Sequence, residues 1–153
     1  TTPNDREKAS FLKENILPIE ASGQLSLIET PATHFTIDGL LTTVSFTNHM
    51  DIRFVHGHTE KMMVPYIQYQ GKTICFPADL LPTAGHVPIP YVMGYDTRPL
   101  ITLKEKASFL ENSARENHVL FLEHDSVNEC CTLQETEKGV RLKETFDLST
   151  FLS

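Results

Sequence analysis

Gly71-Lys72-Thr73-Ile74-Cys75-Phe76-Pro77-Ala78-Asp79 is the stretch on which the reading of the fold turns. Residues 72–76 pair naturally with Met62–Tyr69 across Gln70-Gly71, so the segment is expected to be the second strand of a hairpin. Pro77 then ends the strand and Asp79 stands just beyond it. A strand end is a stiff base from which to aim a side chain. Two histidines occupy equivalent places: His58 in Val55-His56-Gly57-His58-Thr59, and His124 in Leu120-Phe121-Leu122-Glu123-His124-Asp125. Each follows an apolar run and precedes a turn or loop. A His, Asp, His series delivered by separate elements suits a carboxylate held between two metal-bound imidazoles. Three ligands are nonetheless too few for two metals, and no His-x-His-x-Asp-His cluster occurs elsewhere in the chain.

Working outward, Thr2-Pro3-Asn4-Asp5 supplies cap residues ahead of an amphipathic pattern over 6–17, which predicts a first helix. Short β-rich runs over Leu25–Glu29, His34–Ile37, Leu41–Thr47 and Ile52–Val55 are broken by Pro, Gly, Asp or Asn and predict an antiparallel region. From Leu80 to Ile101 the chain is irregular, with four prolines and two glycines. A loop of that length in a compact domain is more often a functional lid or pocket wall than a passive connection. Thr102 is expected to cap a second helix over Leu103–Asn117. Val119–Glu123 reads as a short strand buried on both faces. Glu129–Thr136 and Val140–Phe146 form a hairpin around Lys138-Gly139, and Leu148–Leu152 adds a closing helical turn. The hexapeptide Glu7-Lys8-Ala9-Ser10-Phe11-Leu12 recurs at Glu105–Leu110, which we read as coincidence between two surface helices rather than a repeat.

Composition narrows the classes. The 153 residues, 40% hydrophobic and 22% charged, suit one globular domain over 1–153 that can bury a real core. A net charge of -7 argues against general nucleic-acid or anionic-membrane binding, since either needs a basic patch to neutralise phosphates. The densest lysines, Lys104-Glu105-Lys106, are already mixed in sign. Three cysteines, two of them adjacent (Cys130 and Cys131), make neither a disulfide framework nor a Cys-x-x-Cys knuckle, and a reducing, cytoplasmic setting fits them best. No apolar run reaches the roughly 20 residues that span a bilayer.

The three motifs, in their order, strand contexts and spacing, resemble the last three metal motifs of the metallo-β-lactamase-fold hydrolases. The Ala78-Asp79-Leu80 turn, the Pro-rich segment with Tyr91, Tyr95 and Asp96, and the helix before His124 look most like the branch of lactonases and organophosphate hydrolases. The resemblance implies an α/β fold: the C-terminal part of an αββα four-layer sandwich, with a mixed or antiparallel sheet and flanking helices. It implies that His58 binds one metal, Asp79 bridges two, and His124 binds the second, most plausibly with two zinc ions in the complete enzyme. It implies a metal-activated hydroxide attacking an ester, lactone or phosphoester substrate. The family's His-x-His-x-Asp-His motif belongs to an N-terminal half that this chain lacks, and reading His56–Lys61 as a degenerate copy fails because Glu60 and Lys61 stand where Asp and His are needed. The chain alone is therefore expected to bind metal weakly and to be inactive, with the missing half or a second copy as partner. The alternative is a non-catalytic binding or assembly module derived from such a hydrolase.

Other residues carry less. Asp125 is expected to orient or cap rather than ligate, and His56 to face away from His58 and be structural. His86 is a candidate for touching substrate from the expected pocket wall. Tyr91, Tyr95 and Arg98 are candidates for lining it, although aromatic packing of a long loop explains each alone. His34, His49 and His118 have no supporting context.

Overall fold

A computed structural model describes residues 3–30 and 42–152. Among them a seven-stranded sheet runs in sequence order: β1 (Thr42–Thr47), β2 (Met50–Val55), β3 (Met62–Tyr69), β4 (Lys72–Cys75), β5 (Val119–Phe121), β6 (Cys130–Thr136) and β7 (Gly139–Phe146). Every neighbouring pair is antiparallel except β4 and β5, which are parallel and joined through helix α2 (Pro99–Arg115). A parallel pair requires such a crossover, whereas the antiparallel pairs need only turns. At the β3–β4 turn Gln70 and Gly71 take φ of 48° and 74°, the left-handed pair that matches the twist of a two-residue hairpin.

The core lies between the sheet and α2. Val55, Val64, Tyr66, Cys75, Leu120, Cys131 and Leu133 from the strands meet Phe109, Leu110 and Ala114 from α2, with Leu80, Leu81 and Val87 closing one end. Arg53 reaches across from β2 to Asn112 Oδ1 at 2.7 Å and lies over the Tyr66 ring, 4.1 Å from its centroid. His118 meets Tyr66 edge-on at 5.4 Å and is buried. Burial first, and the Arg53 charge second, push the His118 pKa below its ordinary 6.5. The unfolded chain therefore takes up a proton that the folded chain refuses, so this contribution to stability is complete above about pH 6.5 and lost as the pH falls through the lowered folded value. Urea midpoints measured from pH 7.5 down to 4.5 should fall along this limb, and His118→Gln should flatten it.

Several expectations are corrected. The first helix is not continuous over 6–17: residues 5–10 form turns and α1 spans Lys13–Ala21, with Pro18 inside it. Asn4 does cap, its Oδ1 accepting from the N–H groups of Arg6 and Glu7 while the Glu7 carboxylate accepts from Asn4 N. A cap closes only one turn, however, and this segment buries none of the apolar face that would propagate it. Leu25–Glu29 lies outside the sheet, and the run over His34–Ile37, with His34, lies outside the described residues. Helix α2 starts at Pro99 rather than after Thr102, because a proline at the first helical position gives up an N–H that would be unpaired anyway. Thr102 is instead a buried packing residue. The hexapeptide copies differ in setting, as coincidence requires, but the second is not a surface segment: Lys8–Leu12 are exposed, while Glu105, Lys106, Phe109 and Leu110 are buried. The remaining strands and the closing helix α3 (Leu148–Leu152) fall where the pattern put them.

Candidate metal centre

Strand direction assembles the site. β3 runs against both β2 and β4, and β5 runs with β4, so β2, β4 and β5 all point the same way and their C-terminal ends share one edge of the sheet. His58 follows β2, Asp79 follows β4 and His124 follows β5. The three side chains converge there. Asp79 Oδ2 lies 3.3 Å from His58 Nε2, and Asp79 Oδ1 lies 3.2 Å from His124 Nε2. One carboxylate thus faces two imidazoles, one oxygen to each. Asp79 Oδ1 is buried and has no hydrogen-bond partner, as expected of an acceptor set to meet a cation.

The backbone at each of the three residues is fixed separately. Glu105 on α2 accepts from His56 N at 2.7 Å and Gly57 N at 2.9 Å, and burial raises its pKa despite those two bonds. The Thr97 amide and hydroxyl both donate to His58 O, at 3.0 and 2.9 Å, and Arg98 N donates to Gly57 O at 2.8 Å. Ala78, directly before Asp79, has φ of 47°, a left-handed conformation that costs an alanine roughly 1–2 kcal/mol and is held here by packing around a buried side chain. His124 N donates to Pro82 O at 3.1 Å. Asp125 accepts from Ala84, Val127 and Asn128 N–H groups, tying the His124 loop to the segment after Asp79. Burial would push the Asp125 carboxyl up, but these bonds outweigh it and hold the pKa at about 2.

The long segment over 80–98 is stitched down rather than loose. Lys106 is fully buried, and its ammonium donates to the carbonyls of His86, Pro88 and Tyr91 at 3.0, 3.1 and 2.6 Å. His86 Nδ1 sits 2.7 Å from Thr83 Oγ1, and burial followed by the Lys106 charge lowers its pKa. Tyr91 and Tyr95 are exposed, and Arg98 stands at the N-cap of α2. His56 Nδ1 accepts from Lys61 N at 3.3 Å within its own turn. Cys130 and Cys131 are both buried, their thiols pushed up by burial to about 11 and 12, which leaves little thiolate for chemistry.

No protein-family model matches the sequence, and no curated protein matches it either. Solved structures do. A probable metal-dependent hydrolase from Staphylococcus aureus superposes with a TM-score of 0.72 at 20% identity, over 95% of this chain and 48% of its own. AidC, a dizinc quorum-quenching lactonase in complex with a product, gives 0.62 at 18% identity over 94% and 48%. AbOPH, a hydrolase in the beta-lactamase superfamily, gives 0.69 at 14% over 88% and 44%. The chain has the metallo-β-lactamase fold. It spans about half the length of the structures it matches, and corresponds to the C-terminal part of the metallo-β-lactamase fold.

Four residues of the site region went unassigned in the sequence. Asp96 places Oδ1 2.9 Å from His58 Nδ1, with no exposure of its side chain. Glu123 Oε1 lies 3.9 Å from His124 Nε2, and Asp79, Glu123 and His124 can each bring a ligand atom within 4.8 Å of the others. Glu105 and Lys106 belong to a mixed-charge stretch that reads as a solvated helix face. Within the metallo-β-lactamase fold as seen here, that face is turned inward.

Proposed function

We propose that this chain is the C-terminal part of a metal-dependent hydrolase acting on an ester, lactone or phosphoester, with His58, Asp79 and His124 as its metal ligands. One observation carries the reading: a single carboxylate, set between two imidazole Nε2 atoms at 3.3 and 3.2 Å, with Oδ1 buried and accepting no hydrogen bond. The donor set of two nitrogens and a shared anionic oxygen fits borderline divalent ions, zinc foremost, and the dizinc lactonase among the similar structures supports that choice. A divalent ion held there would supply Lewis acidity and bring the pKa of a coordinated water toward neutrality. The residues of this chain would do the rest: His58 and His124 would contribute imidazole nitrogens, Asp79 would contribute the shared charge, and the segment over 80–98 would wall one side.

A catalytic zinc generally has three protein ligands and one open position, so one histidine per ion plus a shared aspartate leaves the centre short. The missing donors are assigned to the N-terminal half of the same protein. We expect zinc titration of the 153-residue chain to show weak binding, and lactones, aryl esters and phosphotriesters to go unhydrolysed. The longer protein should hold two ions and hydrolyse one of these classes. Two tightly bound ions with turnover by the chain alone would overturn the reading. An assembly module without chemistry is the second reading. It is favoured by the apolar side chains that α1 and its approach leave exposed, among them Phe11, Ile16, Leu17 and Ile19. A full-length protein that binds no metal would select it.

A further inference from the structure

The two ring nitrogens of His58 have different surroundings, and the difference assigns a role to a residue in the Pro-rich segment. Nδ1 lies 2.9 Å from Asp96 Oδ1, and Nε2 lies 3.3 Å from Asp79 Oδ2. A carboxylate only accepts, so a neutral imidazole with one proton can satisfy only one of these partners. Asp96 has the stronger hold: the contact is shorter, and the Asp96 side chain is fully buried while that of Asp79 is 23% exposed. The proton then belongs on Nδ1. In that neutral form Nε2 is left with its lone pair facing Asp79 Oδ2.

We propose that Asp96 is a positioning residue for the candidate centre, holding His58 as its Nδ1–H tautomer so that the Nε2 lone pair points at Asp79. The purpose of this device rests on reading His58 as a ligand; its geometry does not. A metal-binding histidine commonly has its other ring nitrogen fixed by a carboxylate in this way, which sets ring orientation and raises ligand basicity. Loop anchoring supports the role. Asp96 N donates to Met93 O at 3.1 Å, Thr97 and Arg98 bond to the carbonyls of His58 and Gly57, and Lys106 ties down His86, Pro88 and Tyr91. The carboxylate is therefore delivered by a bracket with few degrees of freedom. Its second oxygen, Oδ2, is buried without a hydrogen-bond partner, so His58 is the side chain that this carboxylate bonds. The nearby Lys106 ammonium interacts electrostatically with this carboxylate.

The test reads the tautomer directly. Long-range proton–nitrogen NMR correlations on histidine-labelled, metal-free chain near pH 9, with His58 assigned through His58→Gln, should show Nδ1–H in the native chain. Asp96→Ala should move His58 toward Nε2–H and weaken zinc binding roughly 10- to 100-fold. Asp96→Asn, whose amide oxygen can still accept, should fall between. Thr97→Val removes a hydroxyl bond to the His58 carbonyl without touching the ring, and should leave the tautomer unchanged. If Asp96→Ala keeps Nδ1–H, the role is overturned whatever zinc does. If the native chain and the longer protein bind no zinc while the tautomer still follows Asp96, the positioning stands and the ligand reading of His58 fails.

Discussion

Gly57→Ala is expected to destabilise the chain by about 3 kcal/mol, at the upper end of what overpacking usually costs. For a chain of this size that lowers Tm by roughly 6–12 °C, measurable by circular dichroism. The reason is local crowding. A methyl group on Gly57 would collide with the hydroxyl, amide nitrogen and Cα of Thr102, the last at 2.6 Å. Two of those atoms are backbone, in the first turn of α2, so no rotamer change relieves the clash. Thr102→Ala should therefore fail to rescue the variant. Either α2 or the His56–His58 turn must shift, and a shift in the turn breaks the Glu105 clamp and moves His58 away from Asp79. A Gly57→Ala chain with unchanged Tm would show that α2 does not pack as described.

Lys106→Met is the second large effect, and it separates two opposing terms. Removing the ammonium strands three carbonyls, each of which accepted a charge-assisted bond worth about 1.5–3 kcal/mol. Methionine also removes the cost of burying a cation, a cost visible in the Lys106 pKa, pushed down to about 8 by burial. The bonds should win, for a net loss of about 2–3 kcal/mol. The more telling signal is local: amide exchange over 84–98 should accelerate well beyond the global change, because those carbonyls are what fasten the segment to α2. Uniform acceleration across the sheet would instead mean that the segment is held by other means.

How much of this could be read in the sequence depended on whether the signal was local. The strands before and after Gln70-Gly71 and the positions of His58, Asp79 and His124 at strand ends follow from alternation, turn residues and proline, all written within a few residues. Their convergence depends on strand direction as well, which only the antiparallel pairings of β2, β3 and β4 and the parallel pairing of β4 with β5 establish. The start of α2 was misplaced because Thr102 looked like a cap while the better signal, Pro99, was read as part of a loop. Asp96 became meaningful only when a proline-rich segment folded back onto a residue distant in sequence. Glu105 and Lys106 read as solvated charge in the sequence because helical periodicity cannot tell a charged side chain pointing at water from one pointing at buried backbone. Only their partners, the N–H groups of His56 and Gly57 and the carbonyls of His86, Pro88 and Tyr91, give them away.

The parallel pairing of β4 with β5 bears on how the chain reaches this state. β1–β4 and β5–β7 are each built from neighbours in sequence and can form early, since short loops close with little entropy loss. The pairings Ile74 with Val119 and Cys75 with Leu120 must wait until α2 has been made and docked, because the whole crossover lies between them. Asp79 lies on one side of that late seam and His124 on the other. The candidate centre is therefore among the last features to assemble in folding, because Asp79 and His124 meet only in the step that commits the two halves of the sheet to each other.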